Sequence, residues 1–190
     1  MESGAKRAAA AAALAARGAG ALVVTALDEV AWLLNVRGSD VAFNPVCFAF
    51  CVLRAGGDAT LYAARAAYAS PAGVGRMRIP NLFLKRRYVE PEKAADPSLL
   101  AHLGPDVALR PYGALCGDLG ALPAGARVWV DPATCSWEVY RALPEGAAYE
   151  APSPLVLPKA LKCPAEARSR GRAADMHASC ARVAIRRISE

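Results

Sequence analysis

Residues 25–46 read Thr25-Ala26-Leu27-Asp28-Glu29-Val30-Ala31-Trp32-Leu33-Leu34-Asn35, then Val36-Arg37-Gly38-Ser39-Asp40-Val41-Ala42-Phe43-Asn44-Pro45-Val46. Leu27, Val30, Leu33 and Leu34 recur at helical spacing, with Trp32 offset from that stripe. Thr25 opens a loose capping box, and Asp28 falls near the positive end of the predicted helix. Arg37-Gly38-Ser39-Asp40 is turn chemistry. Asn44-Pro45 forces an extended approach to the next element.

Working outward, Ala21-Leu22-Val23-Val24 is a short continuous apolar run, the pattern of a strand buried on both faces. Before it, residues 6–17 read as a helix closed by Gly18 and Gly20. After the block, residues 46–53 predict another buried strand. Gly56-Gly57-Asp58 then makes a hairpin turn into a partner strand from Ala59 to Tyr62. Further on, helices are predicted around 98–103, 112–119 and 136–143, and strands around 107–109, 127–130 and 154–157. Strands alternating with short helices around one hairpin predict an α/β sandwich, with helices flanking a mixed central β-sheet.

The chain has 190 residues, room for one domain, and an apolar fraction of 55% inflated by alanine. No run of about twenty strongly apolar residues exists, so no transmembrane helix and no membrane association are expected. Lys6 and Arg7 before the Ala8–Ala13 run could open a leader, but alanine is the best helix former, and a plain helix is the expectation. Six cysteines form no C-x-x-C pair, and the two histidines, His102 and His177, lie far apart. A zinc site is therefore not expected, and a reduced, cytoplasmic protein is.

The net charge is +6, which invites a nucleic-acid reading. Its distribution argues against one. Acidic and basic side chains balance over residues 1–62, and residues 89–161 are net acidic. The excess comes from residues 63–88, with six basic and no acidic side chains, and from the tail. No single element joins a basic stripe to stacking aromatics.

The ordered motifs Asp-Glu-x-Ala-Trp-Leu, Asn-x-Arg-Gly-Ser-Asp and Asn-Pro-Val in residues 25–46 resemble, without gaps, the middle domain of three-domain Xaa-Pro aminopeptidases of the cytosolic type. Weaker resemblance continues through Arg127-Val128-Trp129-Val130, residues 136–144, Ser153-Pro154-Leu155 and Pro158-Lys159-Ala160-Leu161-Lys162. It covers roughly residues 14–62 and 89–167. The resemblance implies a creatinase N-terminal-like fold. It implies a parent enzyme that releases an N-terminal residue preceding proline. The parent would carry a separate pita-bread catalytic domain, two manganese ions held by two Asp, one His and two Glu, and a dimeric state. Paired metals can supply a hydroxide nucleophile at neutral pH, but only with all ligands together. His177 stands without such a set, so no metal ligand and no catalytic residue is expected in this chain.

Trp32, Arg37, Asp40 and Asn44 are the candidate cleft or interface residues. Each has a plainer reading. Trp32 suits a core aromatic, with cleft lining as the alternative. Arg37 and Asp40 suit a local ion pair holding the turn. Asn44 suits fixing the turn before Pro45. Ser39 has no neighbouring base, so a serine nucleophile is not expected. Asp28 and Glu29 are adjacent and point apart on a helix, against a paired-carboxylate site.

Two departures stand out. Joining Tyr62 to Val89 restores the family's Ala-Thr-Leu-Tyr-Val-Glu-Pro-Glu-Lys, so residues 63–88 are expected to be extra, as a retained intron or misread splice site would leave them. From residue 168 to 190 the amphipathic pattern is poor, and the tail is expected to be a truncated or altered start of the catalytic domain. The domain is accordingly expected to span 1–167. Three functions follow in order: a middle-domain fragment inactive alone, whose partner is the parent's catalytic domain; a creatinase-type dimerisation or regulatory module; and a basic nucleic-acid binder.

Overall fold

The computed structural model describes residues 1–38, 40–63, 87–88 and 97–161. Ser39, most of the 63–88 segment, residues 89–93 that would continue the hairpin, and the 168–190 tail with His177 lie outside the described residues. Met1–Val156 forms one unit, and Leu157 begins another.

Helix α1 (Ser3–Ala16) starts one turn earlier than its alanine run suggests. Arg7, Ala10, Ala11 and Leu14 fall on one buried face at helical spacing. Lys6 and Arg7 are buried anchors. Lys6 Nζ donates to Trp32 O and Asn35 Oδ1, each at 2.6 Å, and lies 4.4 Å from the Trp32 ring centroid. Arg7 Nη1 donates to Gly57 O at 2.6 Å. The helix ends in a turn with Gly18 at φ +63°, the left-handed region that glycine enters without a Cβ clash.

Strand β1 (Ala21–Val24) is buried along its whole length. Helix α2 (Leu27–Leu34) follows, then a two-residue strand β2 (Val36–Arg37). The expected cap is not made by Thr25. Ala26 occupies the cap position, and Thr25 Oγ1 instead donates to Thr134 Oγ1 at 3.0 Å. The hairpin is β3 (Ala49–Arg54) and β4 (Ala59–Ala63), turned by Gly57 at φ +88°. Strand β3 begins three residues later than predicted, because Val46–Phe48 stay in the preceding loop. Strand β5 (Arg87–Tyr88) pairs in parallel with β2.

Helix α3 (Pro97–Leu103) and strand β6 (Val107–Pro111) come next. The helix expected at 112–119 splits into a 3-10 turn, Tyr112–Ala114, and helix α4 (Leu115–Gly120). Strand β7 is Val128–Val130. Ser136 Oγ accepts from Val139 N and caps helix α5 (Trp137–Arg141). Strand β8 (Ala148–Glu150) was not anticipated. The strand expected at 154–157 does not form. Ser153 Oγ accepts from Leu155 N at 3.2 Å, Val156 N donates to Ser153 O at 3.3 Å, and this serine turn leads into helix α6 (Val156–Ala160).

The main sheet has the order β6-β4-β3-β1-β7-β8. Strand β3 runs against its neighbours β1 and β4, while β4–β6, β1–β7 and β7–β8 are parallel. Helices cover both faces, as expected of a mixed sandwich. Alternate side chains of β1 serve different layers. Leu22 and Val24 join Leu14, Leu33, Leu53 and Leu99 on one side. Ala21 and Val23 join Leu115, Leu119 and Val139 on the other.

The loop at the end of β2 is set by backbone contact. A Cβ on Gly38 would lie 2.5 Å from Cys47 Cβ and 2.7 Å from its Cα. Gly38→Ala is therefore expected to destabilise the domain by about 1–3 kcal/mol through overpacking, measured by urea unfolding.

Three segments meet in a buried polar network beyond the ends of β1, β7 and β8. Ser153 Oγ donates to Glu29 Oε2 at 2.7 Å, and Ser153 N donates to Asp131 Oδ2 at 2.8 Å. Asp131 Oδ1 also accepts from Ala133 N at 2.9 Å. Ser153→Ala removes a hydrogen bond to a buried carboxylate. A loss of about 1.5–3 kcal/mol is expected in the same unfolding measurement, and a loss below a few tenths would show the bond to be dispensable.

Candidate functional site

The loop from Arg37 to Phe48 is the feature that gathers the sequence candidates. Arg37 is half-buried in β2. The ion pair expected between Arg37 and Asp40 does not form among the described residues. Asp40 Oδ2 instead accepts from Phe48 N at 2.7 Å, and Asp40 N donates to Val46 O at 3.3 Å. The carboxylate thus closes the base of the loop, where a backbone N–H was nearer than a guanidinium. Asn44 is exposed and bridges to Val41, with Asn44 N donating to Val41 O at 3.1 Å. The turn role read from Asn44-Pro45 is therefore carried by its backbone.

Phe43 sits at the tip, which the sequence reading missed. It is 86% exposed and has φ +63°, a conformation costly for a bulky side chain. Phe48 is also exposed at 44%. Phe43 at the tip is an exposed apolar side chain suited to contact with another surface. Trp32 belongs elsewhere. It packs against the main core cluster with Lys6 over its ring, which fits the core role.

Among the described residues, no other cluster has the form of a catalytic centre. Glu29 and Asp131 are buried, but their oxygens are engaged by Ser153 and Ala133. Glu29 escaped the sequence reading because its partner lies far along the chain. Tyr62 OH donates to Asp118 Oδ2 at 2.8 Å, and Arg110 Nη1 lies 3.1 Å from the same carboxylate oxygen. Burial, then the Asp118 carboxylate, pushes the Tyr62 hydroxyl up to about 12. Burial pushes the Cys47 thiol to about 11 and the Cys51 thiol to about 12, which makes both inert as nucleophiles.

The described residues do not fit a metal site. No group of three or more His, Cys, Asp or Glu among them is placed to hold an ion. No helix among them is long and apolar enough to cross a membrane.

One further cluster surrounds Tyr149. Arg17 Nη1 donates to Tyr149 OH at 3.2 Å, and the Arg127 guanidinium lies 4.3 Å from the Tyr149 ring centroid. Trp129 meets the Tyr149 ring edge-on at 5.2 Å and donates from Nε1 to Ala151 O at 2.9 Å. Its only trace in the sequence is a pair of scattered arginines and aromatics. Nothing in their spacing joins them.

Comparison with known proteins places this geometry. The model of the creatinase/prolidase N-terminal domain matches residues 1–166. Aminopeptidase P1 of Arabidopsis thaliana is 35% identical over an alignment 175 residues long that covers 78% of this chain and 23% of the relative. A probable Xaa-Pro aminopeptidase P of Penicillium rubens is 31% identical over 148 residues, 74% of this chain and 20% of the relative. Among solved structures, the X-prolyl aminopeptidase of Caenorhabditis elegans, a cytosolic enzyme with a di-nuclear active site, superposes with a TM-score of 0.64 at 20% identity. The match covers 86% of this chain and 23% of that one. The chain thus spans less than a quarter of the length of these relatives. By its fold and by the match across residues 1–166, the chain belongs to the creatinase/prolidase N-terminal domain family, in the form carried by Xaa-Pro aminopeptidases.

Proposed function

We propose that this chain is the non-catalytic middle domain of an Xaa-Pro aminopeptidase and is inactive alone. The parent enzyme would release an N-terminal residue preceding proline, using manganese in a separate catalytic domain. The observation that carries the reading is the family match over residues 1–166 against relatives of which the chain covers less than a quarter. The domain spans 1–167 in this reading, with 63–88 extra and 168–190 beginning the next domain. The setting is cytoplasmic, and Xaa-Pro peptides meet the domain only in the full-length enzyme.

In this reading the Arg37–Phe48 loop is the face offered to the catalytic domain or to a dimer partner. Three features support an interface: the exposed Phe43, its left-handed backbone, and the Gly38 contact that fixes the loop base. A second reading, a dimerisation or regulatory module, is favoured by the same exposed phenylalanine. A nucleic-acid role has no support from the arrangement of charge, and would require steeply salt-dependent affinity.

Incubation of the purified chain with an Xaa-Pro-Pro peptide and manganese tests the first reading. No amino-acid release above a blank is expected. Manganese-dependent release that survives removal of host peptidases would overturn it. Phe43→Ser tests the second. Its melting temperature is expected to stay within about a degree of the parent's, since exposed substitutions cost little. Analytical ultracentrifugation reads self-association. A dimer of the parent chain that Phe43→Ser dissociates favours the module, and a monomer in both removes it.

A further inference from the structure

The cluster around Tyr149 has no part in the reading above, and among the described residues no carboxylate pairs with its arginines. Arg17, at the end of α1, donates one N–H to Tyr149 OH and lies 6.0 Å from the Trp129 ring. Arg127, just before β7, lies over the Tyr149 ring at 4.3 Å. Both arginines are exposed, and neither is in a salt bridge among the described residues, where Arg7, Arg54 and Arg110 each have a carboxylate. An aromatic face fixes the plane of a guanidinium while leaving its N–H edge open, and that edge matches a carboxylate in bidentate fashion. Stacking also lowers the entropy lost when an anion is taken up.

The same corner of the fold carries an open strand. Among the described residues, strand β8 ends the sheet and pairs with β7 alone. Ala147 O and Ala151 N bond to β7. By the alternation of a parallel ladder, the backbone groups of Ala148 and Glu150 point outward. Glu150 does not neutralise the pair. Its side chain alternates to the face opposite Tyr149, where Oε1 accepts from Tyr140 OH at 2.8 Å.

We propose that Arg17, Arg127 and the outer edge of β8 form a docking site for an acidic polypeptide segment. The segment adds to β8 as a further strand and places a carboxylate against the two guanidiniums. Backbone pairing supplies affinity without sequence preference, and the arginines select for Asp or Glu. Edge addition also blunts an exposed strand that would otherwise pair at random.

The test uses the full chain and a capped hexaglutamate peptide at low ionic strength, followed by heteronuclear NMR. The basic segment 63–88 can also attract this probe, so a local readout is needed. The amide signals of Ala148 and Glu150 and the Nε–H signals of Arg17 and Arg127 are expected to shift together along one saturation curve. Arg127→Gln is expected to weaken that curve about tenfold, and Arg127→Lys by less, because charge survives while the fork is lost. Hexaglutamine is expected to move the Ala148 and Glu150 signals only at about tenfold higher concentration, and to leave the arginine Nε–H signals unmoved. Four results would overturn the proposal: no shift at these signals, equal shifts with hexaglutamine, unchanged affinity in Arg127→Gln, or full displacement by equimolar inorganic phosphate. The last would assign the arginines to a small free anion instead. Near-UV circular dichroism of each variant checks that the Trp129–Tyr149 packing persists, and Arg17→Gln repeats the test from the other guanidinium.

Discussion

The burial of β1 on both faces is the constraint from which the other layers follow. Its four residues carry no polar side chain, and all lie within the core. Burying a large apolar side chain contributes about 1.5–3 kcal/mol, so a strand of this kind must be sandwiched. It needs a partner strand on each side and a helical layer above and below. Strands β3 and β7 meet the first need, and the two groups of helices meet the second. The change of direction falls here too. Strand β1 pairs antiparallel with β3 on one side and parallel with β7 on the other, which makes the hairpin and the β7–β8 half distinct in character.

Polar groups in this interior are few, and among the described residues all buried side-chain N and O atoms but Arg7 Nε are engaged. Lys6 closes the carboxyl end of α2 with a charge, where the helix dipole welcomes a cation. Glu29 and Asp131 hold the segment that leaves the sheet at Ser153. These contacts specify position more than they add stability, since a buried charge offsets much of its own attraction by desolvation. The exposed features differ in kind: an apolar loop tip at Phe43, and a cationic strand edge at Tyr149. They suit unlike partners.

Much of the fold was legible from residues that serve one local purpose. The all-apolar run at 21–24 read as β1 because few other structures bury every side chain of a tetrapeptide. The Leu27–Leu34 stripe read as α2 for a similar reason. What escaped was decided by distant partners. Strand β8 is three residues with a tyrosine flanked by alanine and glutamate, and only pairing with β7 makes it a strand. Ser153 converted a predicted strand into a turn because its hydroxyl serves Glu29 and its own downstream N–H together. Asp40 was expected to meet Arg37 but caps the Phe48 amide, a choice fixed by the loop's closure on Gly38. The interface candidates at Arg37, Asp40 and Asn44 were thus found by motif, and the residue that projects, Phe43, by backbone geometry.

The anchoring of α1 bears on how the chain is made. Lys6 waits for Trp32 and Asn35, and Arg7 for Gly57, all within the first third of the chain, while the longer Arg7–Asp106 ion pair at 3.6 Å joins later. Helix α1, β1, α2 and the hairpin can therefore close while later residues are still being synthesised. The parallel partner of β1 is β7, whose Val128 pairs with Ala21 across more than half the chain. Until it emerges from the ribosome, the other edge of β1 stands open, and long-range parallel pairing is slow to form. The nascent half-sheet is then a substrate for chaperones, and the interval lengthens with every residue placed between the hairpin and β7.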